Sequence, residues 1–126
     1  MKEILDTNVL LRFLVGDEPE QQEKAKTWFN EGQKGKRKIV VKPLVIAEAC
    51  FVLESFYKKD RQDIAKSLQV FLSQKWLKVE ERGILLALLY WYKEGRHFVD
   101  SYLLACAKKE KGRILSFDKK LIRDLR

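Results

Sequence analysis

Four acidic residues stand beside apolar runs, at points where the chain is predicted to leave a strand or to run into a helix: Asp6, Glu48, Asp100 and Asp118. In an open α/β sheet, ligands bind just beyond the carboxyl ends of the strands, so acids at such points are candidates for a shared site. Four carboxylates in one cleft would repel one another, and a divalent cation removes that repulsion. Hard oxygen ligands suit Mg²⁺ or Mn²⁺. The pattern predicts a metal site that activates water and screens the charge on a scissile phosphate.

Three of these acids have a structural alternative, because each lies where a helix is predicted to start. Asp6, Asp100 and Asp118 could each act as a helix N-cap. Asp100 could instead pair with Arg96 or His97 in the preceding loop. Taken one at a time, these three residues leave both interpretations open.

Glu48 is harder to explain as a structural residue. On a helix it has only apolar neighbours three and four residues away, and these are Leu44, Val45, Phe51 and Val52. An ionised carboxylate buried on such a face must lose its charge, find a partner or hold a cation. Glu54, in contrast, has Lys58 four residues on and is expected to form an ordinary exposed pair.

Alternating strands and helices are predicted to position the acids. The strands are expected at residues 4–5, 39–41, 76–79 and 113–117. The helices are expected at residues 7–16, 17–32, 43–57, 60–72, 81–94, 100–112 and from 118 onward. This order is typical of an α/β fold, and it predicts a three-layer α/β/α sandwich around a central, mainly parallel sheet of four or five strands.

The charge balance favours a polyanionic partner. A net charge of +8 arises from 26 Lys and Arg against 18 Asp and Glu, and phosphate contacts supply most non-specific affinity for nucleic acids. Solvated basic faces are common, so a loop without a partner is the alternative for residues 34–38. The basic residues that could meet phosphates at the rim are Arg12, Lys34, Lys36, Arg37 and Lys38.

Length and composition indicate one domain, residues 1–126, in the cytoplasm. No apolar run approaches the roughly 20 residues that cross a bilayer, and Asp6 interrupts the first apolar stretch, unlike a signal peptide. Cys50 and Cys106 lie in apolar runs and are expected to be buried thiols, since nothing indicates an oxidising compartment. No membrane partner is expected.

Other chemistries find little support. The chain has no glycine-rich phosphate loop and no nucleophile elbow. Two cysteines and one histidine cannot build a structural zinc site. The single histidine, His97, is expected to be structural or a rim contact rather than a general base.

Four segments resemble the motifs of the PIN-domain ribonucleases, most closely the VapC-like toxins of prokaryotic toxin–antitoxin pairs. They are Asp6-Thr7-Asn8-Val9-Leu10-Leu11, Val45-Ile46-Ala47-Glu48-Ala49-Cys50-Phe51-Val52-Leu53, Phe98-Val99-Asp100-Ser101-Tyr102-Leu103-Leu104-Ala105 and Leu115-Ser116-Phe117-Asp118-Lys119-Lys120-Leu121. Each motif alone is weakly specific, but four in order at this spacing span nearly the whole chain. Ser116 stands where the family often has threonine, which keeps the hydroxyl.

The resemblance implies a PIN-like fold whose acidic cleft binds Mg²⁺ or Mn²⁺ and hydrolyses RNA phosphodiester bonds. By position, Asp6, Glu48 and Asp100 would bind the metal, and Asp118 would do so directly or through water. The residues implied to support them by hydrogen bonds are Thr7, Asn8 and Ser116. The resemblance also implies a homodimer and an inhibitory antitoxin whose tail enters the cleft.

Two other functions remain as hypotheses. A non-catalytic RNA-binding or regulatory module on the same fold would bind RNA without metal or cleavage. A phosphatase or phosphotransferase with Asp6 as nucleophile would resemble the haloacid dehalogenases, but that pattern needs a second Asp where this chain has Asn8.

Overall fold

The computed structural model describes residues 1–125 as three strands and seven helices. The strands are β1 (Lys2–Ile4), β2 (Lys38–Val41) and β3 (Lys78–Val79), and they form one parallel sheet in the order β1-β2-β3. The helices are α1 (Thr7–Val15), α2 (Pro19–Gln33), α3 (Pro43–Ser55), α4 (Arg61–Leu72), α5 (Arg82–Lys93), α6 (Phe98–Glu110) and α7 (Lys119–Asp124). The predicted α/β class and parallel sheet are confirmed.

One face of the sheet packs against helices, and the central strand β2 is also buried on the other face at Val40. Ile39 and Val41 of β2 point to the face that packs against helices and belong to the main apolar core. Gly32 allows α2 to pack closely against Ile39 of β2 and against Trp76. A Cβ at position 32 would lie 2.8 Å from the ring of Trp76 and 3.2 Å from the side chain of Ile39. The core then extends into the helices through fully buried side chains, which include Leu10, Ile46, Leu68 and Leu85.

Several helix boundaries follow from the capping residues that the sequence indicates. Gly16 ends α1 in the left-handed conformation (φ 76°), where its N–H donates to the Arg12 carbonyl. Pro43 occupies the first position of α3, where its missing N–H costs no hydrogen bond. Asp60 caps α4, and its side chain accepts from the N–H of Gln62 at 3.3 Å.

Other boundaries differ from the predictions. Glu18, not Asp17, is the N-cap of α2; Asp17 instead accepts a 2.8 Å hydrogen bond from Tyr57. The helix predicted to begin at Asp100 begins two residues earlier, with His97 as its N-cap. Strand β3 is limited to residues 78–79 and does not include Trp76.

The predicted fourth strand, residues 113–117, is wrong for the described residues. The segment pairs with no other strand. The side chains of Leu115 and Phe117 are fully exposed. They therefore bury no apolar surface that would stabilise this segment as a strand of the sheet. The expected sheet of four or five strands is therefore a sheet of three within residues 1–125.

The second face of the sheet is also more exposed than a three-layer sandwich predicts. Strand β1 is exposed along its whole length, and Ile4 keeps 58% of its surface. Lys38 and Lys78 on the same face are exposed as well. The expected second helical layer does not cover these residues.

Most helices that are consecutive in the sequence contact one another. Helix α1 contacts α2 and α3, helix α4 contacts α3 and α5, and α6 contacts α3, α5 and α7. None of the helices within residues 1–125 is long and apolar enough to span a membrane. Helix α3 thus contacts both α1, which follows Asp6, and α6, which carries Asp100.

Candidate functional site

Three of the four predicted acids come from helices that are in contact with one another. Asp6 precedes α1, Glu48 lies in the second turn of α3, and Asp100 lies in the first turn of α6. Helix α3 packs against both α1 and α6. All three acids lie in the amino-terminal halves of their helices, where the helix dipole favours negative charge most in the first turn.

The carboxylate of Asp6 is not used as a helix cap. Asp6 occupies the N-cap position of α1 with extended backbone angles, but its side chain makes no cap hydrogen bond. The residue is exposed and lines a concavity of about 290 Å³ that also contacts Val9 and Trp28. The capping alternative therefore does not account for Asp6.

Two residues next to Asp6 were predicted to support it. Thr7, the first residue of α1, is buried, whereas Asn8 is exposed. Asn8 lines a second concavity of about 330 Å³ that also contacts Arg12 and Trp28. Both residues lie in the first turn of α1, but their predicted hydrogen bonds to the acids stay predictions.

Glu48 is exposed, which corrects the reason for which it was singled out. Leu44 and Phe51, on the same side of α3, keep 82% and 70% of their surface. Val45 and Val52 are half-buried against the core, so only part of the apolar surface around Glu48 faces solvent. The carboxylate itself is exposed and therefore suffers no large desolvation penalty. The carboxylate is free to bind a partner, and its surroundings are a partly exposed apolar surface.

Asp100 is half-buried, and neither Arg96 nor His97 forms an ion pair with it within residues 1–125. The guanidinium of Arg96 pairs with Asp124 of α7. The carbonyl of His97 accepts hydrogen bonds from the N–H and the Oγ of Ser101, both at 2.9 Å. Asp100 lines a concavity of about 430 Å³ together with Arg96, His97 and Asp124.

Asp118 is the acid that does act as a cap. Its Oδ1 accepts from the N–H groups of Lys120 and Leu121, at 3.0 and 3.1 Å, and so fixes the start of α7. The Oγ of Ser116 accepts from the N–H of Asp118 at 2.9 Å. Ser116 thus supports the backbone at Asp118, and the second carboxylate oxygen of Asp118 makes no hydrogen bond within residues 1–125.

The carboxylates of Asp6, Glu48 and Asp100 are ligands of the type that a hard divalent cation prefers. Asp6, Glu48 and Asp100 make no ion pair and no side-chain hydrogen bond within the described part of the chain. No group of three His, Cys, Asp or Glu residues among residues 1–125 surrounds a common point. Magnesium is commonly held by one or two carboxylates with waters and substrate phosphates completing the shell. Uncommitted carboxylates from three contacting helices meet that requirement in chemistry, without forming a closed cage.

The two arginines predicted at the rim are held by the protein itself. Arg37 donates to Glu3 at 2.8 Å and to Glu31 at 3.1 Å, and these hydrogen bonds raise its pKa. Its guanidinium also lies 5.9 Å from the centre of the Trp28 ring. The neighbouring lysines, at positions 34, 36 and 38, remain exposed.

Arg12 is engaged in a comparable way. Its guanidinium donates to Gln21 at 2.8 Å and to the Tyr57 hydroxyl at 2.9 Å. The Tyr57 hydrogen bond is the main reason that the pKa of Arg12 is raised. A distant ion pair with Asp17, at 3.4 Å, completes the contacts. Arg12 therefore ties α1 to α2 and to the end of α3.

A second polar cluster was not anticipated from the sequence. Glu54 accepts from the Nε of Arg61 and from the hydroxyl of Tyr92, both at 3.0 Å. The expected pair between Glu54 and Lys58 is wrong, since Lys58 follows the helix with a positive φ of 56°. Burial alone would raise the pKa of Glu54, but the bonds from Arg61 and Tyr92 outweigh it and lower the pKa. No periodic signal links positions 54, 61 and 92, because they lie on three different helices.

The cysteines are free, as predicted. Cys50 is buried beside this cluster, and burial raises the pKa of its thiol to about 12. A thiol with so high a pKa is not a nucleophile near neutral pH. Cys106 is half-buried, and burial raises its pKa as well.

The comparisons with known proteins agree with the order of the motifs. A family profile described as "PIN domain" matches residues 4–125. The chain is similar to a VapC ribonuclease of Aquifex aeolicus (strain VF5), with 36% identity over 108 residues, which is 84% of this chain and 78% of the relative. No solved structure matched the chain. The residues that the family profile matches, 4–125, include all four predicted acids.

Proposed function

We propose that this chain, which belongs to the PIN-domain family, is a metal-dependent endoribonuclease that hydrolyses RNA phosphodiester bonds. The observation that carries the proposal is the set of three carboxylates, Asp6, Glu48 and Asp100, which come from contacting helices and make no ion pair within residues 1–125. A cation held by these carboxylates, together with waters and substrate phosphates, would supply the counter-charge that they lack.

Asp6, Glu48 and Asp100 would hold Mg²⁺ or Mn²⁺ through their carboxylate oxygens. Asp118, whose Oδ1 is occupied by two backbone N–H groups, would contribute through a bridging water. Such an ion lowers the pKa of bound water and offsets the charge on the scissile phosphate. The chain's own residues then position the site: Thr7 fixes the start of α1 from the core, and Ser116 holds the backbone at Asp118.

The phosphate backbone of the RNA would be held by lysines rather than by the two arginines. Lys34, Lys36 and Lys38 are exposed beside the start of β2. Arg12 and Arg37 are already engaged with side chains of the protein. Lysine is well suited to this role, because it binds phosphate as a flexible point charge.

The toxin role follows from the same family membership. The relative from Aquifex aeolicus is named a VapC ribonuclease, and we propose that this chain is likewise the cytoplasmic toxin of a toxin–antitoxin pair, active as a homodimer. The exposed side chains of Leu44 and Phe51, on either side of Glu48, support a protein partner beside the acids. An antitoxin bound there would cover Glu48.

Cleavage of a structured RNA in Mn²⁺ or Mg²⁺, with and without chelator, tests the proposed activity. The purified protein should cut only when the metal is present, and Asp6→Asn should remove the cut, because this variant keeps the N-cap shape but lacks the charge. The same purification of Asp6→Asn controls for contaminating nucleases. Cleavage that persists in chelator, or in Asp6→Asn, would exclude the metal mechanism.

One observation favours a second candidate, a non-catalytic RNA-binding module. No three acids in residues 1–125 already surround one point, so the fold could bind RNA without an assembled metal site. This candidate predicts RNA binding that is equal with and without metal, and no cleavage in either condition. The same experiment separates the two.

A further inference from the structure

The exposed face of the sheet carries three lysines, of which the proposed function uses only Lys38. Parallel pairing places Lys2 opposite Lys38, and Ile4 opposite Val40, which in turn lies opposite Lys78. Paired residues in parallel strands project their side chains to the same face. We call the surface formed by Lys2, Lys38 and Lys78, with Ile4 and Val40 between them, the lysine face.

The opposite face of the same strands has a different character. It carries Glu3, Ile39, Val41 and Val79, and Glu3 is neutralised by Arg37 at 2.8 Å. Ile39 and Val41 are buried there. One face is therefore apolar with its charge paired, and the other is basic and exposed except at Val40, which is buried.

The lysines of the lysine face are not paired with acids in the described residues. The neighbouring Lys42, in contrast, does form an ion pair, since its Nζ lies 2.7 Å from a carboxylate oxygen of Glu80. Lys2, Lys38 and Lys78 have no such carboxylate within residues 1–125. Like charges directly opposite one another on adjacent strands destabilise a sheet. This cost persists unless an anion binds.

Part of the face is concave. Lys2, Ile4, Val40 and Lys78 line a shallow depression of about 510 Å³, and Lys38 lies outside it. The lining also includes the basic residues Lys75 and Arg82 and the ion pair of Lys42 with Glu80. Val40 is buried at its floor, whereas Ile4 is 58% exposed. A depression with an apolar floor and a rim of lysines suits a ligand with anionic groups at regular intervals and less polar parts between them.

We propose that the lysine face binds the phosphate backbone of single-stranded RNA and guides it to the acids. The distance supports the guiding role, because Asp6 lies four residues beyond Lys2 and so about 13 Å along the chain. That length corresponds to a few nucleotides rather than to a separate site. The guiding role rests on the proposed nuclease function, whereas the binding itself does not.

A different reading assigns the lysines to protection of the sheet edges. Lysines on edge strands discourage pairing with other chains, and β1 and β3 are the two edges of this sheet. Lys38, however, lies on the central strand β2, where edge protection gives no reason for a charge. Binding of an acidic protein instead of RNA is a further alternative.

Salt-dependent binding of a short single-stranded RNA, in chelator so that no cutting occurs, tests the proposal. The triple variant Lys2→Gln/Lys38→Gln/Lys78→Gln should bind more weakly and reduce the slope of log K against log salt by about 2, since each phosphate contact contributes about 0.7. The matched control is Lys59→Gln/Lys66→Gln/Lys109→Gln, which removes the same charge from exposed positions in the helical half. It should leave the slope nearly unchanged.

Two further variants keep the test decisive. The triple Lys→Arg variant should retain the wild-type slope, because the charges stay. If the triple Gln variant fails to fold, judged by its urea midpoint, Lys2→Gln/Lys78→Gln leaves β2 intact and should lower the slope by about 1.4.

Equal slope changes in the lysine-face and control variants would show an effect of net charge alone and would overturn the proposal. No change in either variant would assign the lysines to edge protection and would overturn it as well, as would loss of binding to an acidic protein but not to RNA. Cleavage in Mn²⁺ is measured separately. Absent cleavage with a slope change of about 2 would contradict the nuclease, not the lysine face.

Discussion

The two ends of α3 treat a glutamate in opposite ways. Glu54, near the carboxyl end, accepts from Arg61 and from Tyr92, both at 3.0 Å. Glu48, six residues earlier, makes no ion pair and no side-chain hydrogen bond within residues 1–125. The same residue type on the same helix is thus bound into the structure at one end and left uncommitted at the other.

This difference separates a charge that stabilises the fold from a charge that is available for binding. Glu54 joins α3, α4 and α5 through its two partners, so its removal should cost stability. Glu48 lies on α3, which contacts both α1, the helix that follows Asp6, and α6, the helix that carries Asp100. Its removal should cost function and leave the fold intact. The following changes test this contrast, from the largest expected effect to the smallest.

Arg61→Ala should produce the largest loss of stability, about 2–3 kcal/mol, because one side chain supports several partners. Its NH1 donates to the carbonyls of Tyr92 and Arg96, at 2.8 and 2.5 Å. The guanidinium also lies 4.4 Å from the centre of the Tyr92 ring. Urea unfolding monitored by far-UV circular dichroism measures the change.

The matched control for this change is Arg113→Ala, at an exposed position in the segment before α7. It should shift the free energy of unfolding by less than about 0.5 kcal/mol. Equal losses in the two variants would mean that the cluster around Glu54 has no special part in the fold.

Glu48→Gln should reduce activity without reducing the stability of the fold, in contrast to Arg61→Ala. We expect cleavage to fall by at least the roughly 10–100-fold that is typical when even the residues supporting a metal ligand are lost. Stability in metal-free buffer should stay the same or rise slightly, because one carboxylate among several is removed. Single-turnover cleavage and urea unfolding of the same preparation give both quantities. A large loss of stability without metal would instead identify Glu48 as a structural residue.

Asp118 stands between the two cases, since one of its oxygens caps a helix and the other makes no hydrogen bond within residues 1–125. Asp118→Ala should destabilise α7 by about 1 kcal/mol, whereas Asp118→Asn should keep the cap and therefore the stability. If the second oxygen serves the metal site, Asp118→Asn still lowers the rate of cleavage. Hydrogen exchange at Lys120 and Leu121 reports on the cap. Equal protection of these two amides in Asp118→Ala and Asp118→Asn would contradict a stabilising role of the Asp118 cap.

The smallest effect expected is a pH dependence that belongs to Glu54. Its folded pKa is lowered, so the stabilisation is present above the unfolded value of about 4.3 and is lost as pH falls through the folded pKa. The urea midpoint of the wild type should therefore fall between about pH 5 and pH 3, and part of this fall should be absent in Glu54→Gln. The side chain is 40% exposed, so solvent screening keeps the effect modest. Identical pH profiles would assign the acid sensitivity to other carboxylates.

Much of the fold could be predicted from the sequence, because local signals set most of its boundaries. Gly16, Pro43 and Asp60 mark helix ends through backbone conformation and capping, which depend on few neighbours. The strand at residues 113–117 failed because alternating apolar residues indicate only that a strand can form. Whether Leu115 and Phe117 find a partner depends on contacts that are distant in sequence.

The candidate site residues were chosen by residue type and spacing, and their metal-binding role stays a prediction. The argument for Glu48 was wrong in one respect, because it assumed a buried position, whereas Glu48 is exposed. The cluster of Glu54, Arg61 and Tyr92 lies on three helices and has no signature in the sequence.

Direct binding of Mn²⁺ tests most sharply whether acids from different helices share one cation. Calorimetric titration should show binding to the wild type, and Asp6→Asn and Asp100→Asn should each weaken it by at least about tenfold. Glu110→Gln, which removes an exposed acid at the far end of α6, should bind as the wild type does. No binding to the wild type, or an equal loss in Glu110→Gln, would contradict a shared metal site.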